Sequence, residues 1–74
     1  MTEGVGVKSA RVATALAESI LREYPFRRPI KAQKTGDIWY VQIDVGVLKQ
    51  RIANFKIDAK TGAVLEYEVP SEEG

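Results

Sequence analysis

The sequence predicts an α+β fold: one N-terminal helix packed on a single antiparallel meander sheet of three to four strands. Three observations carry that expectation. Apolar residues alternate in period two through most of the stretch 38–69, they recur at helical spacing from Val12 to Tyr24, and glycine-bearing turns separate the β segments.

The helix comes first. Ser9 offers an N-cap hydroxyl, and Val12, Ala13, Leu16, Ala17, Ile20, Leu21 and Tyr24 then form one continuous stripe. Glu18 and Arg22 lie off that stripe at the favourable i, i+4 spacing. Pro25 disfavours α geometry at Tyr24, so the helix is expected to run over 9–24. Ala13 and Ala17 suggest close approach to large sheet residues, with Trp39, Phe55 and Tyr67 as partners.

The strands follow from parity. Trp39, Val41, Ile43 and Val45 form one core set, Ala53, Phe55 and Ile57 a second, and Ala63, Leu65, Tyr67 and Val69 a third, all at odd positions. Opposed residues of an antiparallel pair share a face, so their numbers share parity and each loop holds an odd number of residues unless a bulge intervenes. A loop over 46–50 pairs Ile43 with Ala53, Val41 with Phe55 and Trp39 with Ile57. A turn over 58–62 puts Phe55 across from Leu65 and Ala53 across from Tyr67. Asp58 is suited to accept backbone N–H groups within that turn, and Gly62 to supply positive φ. The turn holds a single carboxylate, too few oxygen ligands for a calcium loop. A Gly36-Asp37 turn closed by Thr35 and Ile38 adds a first strand, with Ala32 opposite Val41 and Ile30 opposite Ile43; Pro29 marks it as an edge.

At 74 residues the chain is one domain, with an ordered core expected over about 9–69 and flexible ends at 1–8 and 70–74. It has no cysteine and no histidine, which excludes a disulfide framework, a zinc finger and histidine-based catalysis. Its serines therefore lack an activating base, and no acid–base cluster suggests an enzyme, a metal or a cofactor. The N-terminus has no signal-peptide pattern and no segment is long and apolar enough to span a bilayer, so a cytoplasmic protein is expected.

Two binding surfaces stand out. Strand parity places Ile38, Tyr40, Gln42, Asp44, Ile52, Asn54, Lys56, Val64, Glu66 and Glu68 on the sheet face away from the helix. Within this face Tyr40, Ile52, Lys56 and Glu66 are the candidates for capturing a protein or peptide, with Tyr40, Ile52 and Val64 as apolar anchors. The alternative is nucleic acid. Residues 1–34 carry seven Lys/Arg against three acids, although the whole chain is only +1, and Arg27, Arg28, Lys31 and Lys34 would supply a small basic patch near Phe26 and Tyr40. Lys31 and Lys34 on the first strand, and Glu66 and Glu68 on the last, imply a monomer or weak edge-paired homo-oligomer.

The helix stripe SARVATALAESIL, the W-x-V strand at Trp39 and Val41, and F-K-I-D-A-K-T-G-A-V-L at 55–65 together resemble the PepSY domain over about residues 9–69. The matching positions are packing and turn residues. The resemblance implies a small binding and regulatory module, of a family thought to bind and restrain peptidases.

Overall fold

A computed structural model describes residues 7–70, with the elements α1 (Ala10–Ile20), β1 (Arg28–Thr35), β2 (Ile38–Asp44), β3 (Ile52–Asp58) and β4 (Val64–Glu68). The four strands form one antiparallel sheet in meander order. α1 lies on one face of it, packed against β1 and β2.

The Ser9 hydroxyl accepts from the Val12 N–H at 3.2 Å and so caps the helix. α1 is shorter than its apolar stripe. It stops at Ile20, and the chain leaves through a turn in which the Tyr24 N–H donates to the Leu21 carbonyl. Eleven residues at about 1.5 Å rise make a helix of roughly 17 Å, too short to cover the whole sheet. Ala13, Ala17 and Leu21 are fully buried while Leu16, Ile20 and Tyr24 pack at the margin of the core. Val12, expected inside, is 44% exposed.

The β2–β3 ladder has the register that parity demands: Trp39 opposite Ile57, Val41 opposite Phe55, Ile43 opposite Ala53. These residues, with Val45, Ala59 and Val7, form the buried core. The β1–β2 turn is also as expected, closed by Thr35 and Ile38, with Gly36 at φ 63° and Ala32 opposite Val41. Beyond Lys31 the two strands slip. Pro29, rather than Ile30, stands opposite Ile43, and a bulge leaves Ile30 at 43% exposure. The proline has no N–H to give to a ladder, and the extra residue is absorbed beside it.

A second bulge corrects the last strand. Ile57 pairs with Val64 and Phe55 with Tyr67, in place of the expected Ala63 and Leu65. Val64 therefore turns toward the core instead of standing on the open face, whereas Leu65 and Tyr67 are 53% and 54% exposed. Tyr67 does not meet the helix alanines as a core residue; its ring stacks on Phe55 at a centroid distance of 5.6 Å.

The turn before β4 is built as its residues suggest. Asp58 Oδ1 accepts from the N–H groups of Lys60 and Thr61 at 2.7 and 3.3 Å, and Gly62 takes φ 82°. Val7, inside the end expected to be flexible, is tied to the core. Its N–H donates to the Ala59 carbonyl, its own carbonyl accepts from Trp39 Nε1 at 2.9 Å, and its side chain is buried. At the other expected loose end, the Pro70 carbonyl accepts from Arg51 Nη2 at 2.7 Å. The ends 1–6 and 71–74 lie outside the described residues. Among the described residues no helix is long and apolar enough to cross a membrane.

Candidate functional site

Among the described residues no element packs on the sheet face away from α1, and there the ladder registers bring side chains from all four strands together. Tyr40 stands opposite Lys56 and Gln33, Gln42 opposite Asn54 and Lys31, and Lys56 and Asn54 opposite Glu66 and Glu68. These residues line a shallow depression of about 420 Å³. Tyr40, 42% exposed, lies among them between Gln33 and Lys56. Gln42 Nε2 donates to Asn54 Oδ1 at 3.0 Å, and Lys56 Nζ meets Glu66 Oε1 at 3.5 Å.

That arrangement has a direction. Lys31 supplies a cation on the β1 side, Glu66 and Glu68 supply carboxylates on the β4 side, and an aromatic ring flanked by amides lies between them. The exposed Lys56–Glu66 pair is of the kind worth under about 1 kcal/mol, so a partner can exchange its own charges for it at little cost. Chemically, the surface can hydrogen-bond extended backbone or polar side chains, stack on Tyr40, and distinguish the two ends of a charged ligand.

Of the sequence candidates, Tyr40, Lys56 and Glu66 are brought together in the depression. Ile52 is not. It stands opposite Asp44 at the end of the ladder, half-buried. The basic patch is dispersed. Arg27 Nη1 reaches the Glu18 carbonyl at 3.5 Å, Arg28 pairs with Asp44 at 3.1 Å, Lys31 joins the depression, and Lys34 stands opposite Trp39, whose ring is on the helix face. The β1 bulge and the alternation of the strand send these cations in different directions.

Asp44 also departs from its expected place on the open face. It is 2% exposed, and Oδ1 accepts from the backbone N–H groups of Gly46 and Arg51 at 2.9 and 3.0 Å while Oδ2 accepts from Arg28. Its role was missed by period-two reasoning, but the local signal is present: an aspartate two residues before a glycine is a side chain poised to bond the turn that follows. The Arg51 and Gly46 N–H groups, followed by the Arg28 guanidinium, hold the carboxyl below its ordinary 3.8 against the opposing effect of desolvation. The contribution of this carboxylate to stability is therefore complete above about pH 4 and lost as pH falls through its lower folded value. Asp44→Asn is expected to flatten the stability–pH curve below pH 4 relative to the parent, as read by urea melts across the acid range. Parallel curves would show that Asp44 titrates alike in the folded and unfolded chain.

The fold and the depression together define a one-helix, four-stranded α+β module with a polar, aromatic-centred open sheet face. Comparison with protein-family models, with curated proteins and with solved structures finds no match for this chain.

Proposed function

We propose that the chain is a non-catalytic binding and regulatory module that captures a protein or peptide segment on its open sheet face. The observation that supports this reading most is the convergence of Tyr40, Lys56, Glu66 and the facing amides in one depression, on a face that α1 does not cover. A polar surface with Tyr40 as an aromatic anchor, and with charge of opposite sign at its two sides, suits a mixed-charge segment of a partner. The face is a better capture surface than the edges. β1 is guarded by Pro29, a bulge and two lysines, and β4 has only five residues. The likeness of the helix and strand motifs to the PepSY domain points to a peptidase as the class of partner, held non-covalently and restrained.

Affinity capture from lysate of the native source, with and without nuclease, tests this. The wild-type chain is expected to retain a protein partner that survives nuclease and is lost with Tyr40→Ala, while Tyr40→Ala melts like the parent. Recovery of nucleic acid instead, lost on changing Arg27 and Arg28, would overturn the reading. Ile52→Ala serves as a comparison: because Ile52 lies outside the depression, it is expected to retain the partner.

A further inference from the structure

The 46–50 loop between β2 and β3 carries two consecutive aliphatic residues that no described residue covers, Val47 at 70% and Leu48 at 97% exposure. The loop holds them out by construction. Asp44 Oδ1 ties the N–H groups of Gly46 and Arg51, the Val45 N–H donates to the Arg51 carbonyl, and buried Gly46 packs directly against the Lys49 carbonyl. The tip is thus a preformed apolar wedge that does not fold back on the core. Its surroundings are cationic. Lys49 adjoins the wedge, Arg51 closes the loop, and the β1 register sets Arg28 against Asp44, with Arg27 and the 38% exposed Phe26 next in the chain. Among the described residues, the carboxylates at this end are Asp44, which is buried and paired with Arg28, Glu23 in the turn after α1 and Glu68 at the end of β4.

We propose that this end of the molecule is a docking surface for an anionic lipid bilayer, with Val47 and Leu48 entering the boundary between headgroups and acyl chains. The exposed Lys49 and Arg27 would then lie at the level of the lipid phosphates, while the Arg51 guanidinium stays on the Pro70 carbonyl. An exposed aliphatic pair with Lys49 beside it suits a deformable anionic surface, because apolar burial and attraction to acidic headgroups act at the same depth. Phe26 adds an aromatic group of the kind that favours this interface. The open sheet face is left free, so the two surfaces operate independently.

Vesicle flotation tests the proposal, using phosphatidylcholine vesicles with and without phosphatidylserine. The wild-type chain is expected to float with the phosphatidylserine-containing vesicles and to dissociate from them as sodium chloride is raised. Val47→Ser with Leu48→Ser is expected to weaken that binding by about tenfold or more, and Lys49→Glu by roughly fivefold or more, with the melting temperature of each variant unchanged. A wild-type chain that stays behind when phosphatidylserine vesicles float at low salt would overturn the proposal, as would a double serine variant that floats like the parent. A concentration-dependent dimer, dissolved by the double substitution without any flotation, would overturn it in favour of a contact between copies.

Discussion

Trp39→Ala is expected to abolish the cooperative thermal melt. The indole is 7% exposed, stands opposite Ile57 in the middle of the sheet, and donates from Nε1 to the Val7 carbonyl. Removing it opens a cavity beneath α1 and leaves that carbonyl without its donor, and buried Trp→Ala substitutions cost about 3–5 kcal/mol. Small domains have about 5–15 kcal/mol in total, and a 74-residue chain without disulfides belongs at the lower end of that range. Trp39→Phe is expected to cost less, since it keeps a six-membered ring in the core while losing the pyrrole ring and the hydrogen bond to Val7, the latter worth about 1–3 kcal/mol when the carbonyl is left unpaired. Far-UV circular dichroism melts read both variants. An alanine variant that melted like the parent would show that the indole does not fasten the N-terminal segment to the sheet.

Gly46→Ala is the second large effect, and its cause is steric. The residue is buried at the start of the loop, and a methyl group there would run into the Lys49 carbonyl oxygen, with the Lys49 carbonyl carbon at 2.8 Å and the Arg51 nitrogen at 2.9 Å. These are backbone atoms, and the Gly46 and Arg51 N–H groups are held by the Asp44 carboxylate, so the loop has to reorganise, at a cost of about 3 kcal/mol. Gly36→Ala offers a contrast. Space is open around Gly36, but its φ of 63° is strained for a residue with a Cβ, and about 1 kcal/mol is expected. Denaturant melts of the two variants should separate clearly. Equal midpoints would mean that the Gly46 loop yields as readily as an exposed turn.

The parts of the fold that sequence reasoning captured are those where a single physical rule acts alone. Period-two alternation and the face-sharing of opposed residues determine the β2–β3 register completely. The Asp58 and Gly62 turn and the Gly36-Asp37 hairpin follow from side-chain acceptors and positive φ. The misses occur where an extra residue enters a ladder. Ile30 precedes Lys31 beside a proline, and Val64 and Leu65 are adjacent apolar residues. Either choice of inward residue satisfies the hydrophobic pattern in such places, and only the three-dimensional ladder decides. The helix end shows the same limit: Leu21 and Tyr24 continue the apolar stripe from a turn rather than from helix, so burial periodicity outlasts the helix itself.

The site was legible to a similar degree. Tyr40, Lys56 and Glu66 share the depression because their strands keep the expected alternation. Ile52 belongs to the same face but lies at the end of the ladder, a separation along the strand that parity does not reveal. Four cations close in sequence dispersed because Arg27 precedes β1 and reaches back to α1, and because the bulge and the alternation of β1 part the other three. Asp44 looked like an ordinary exposed residue, since alternation says nothing about a side chain that turns aside to bond the next loop.

The central claim is that the open sheet face receives the partner. Amide chemical-shift mapping with the captured partner, or with peptides cut from it, tests this most directly. The predicted footprint is contiguous across 31–33, 40–42, 54–56 and 66–68, and leaves the α1 amides at their free positions. A footprint centred on α1, with the amides around Tyr40 and Lys56 unmoved, would contradict it.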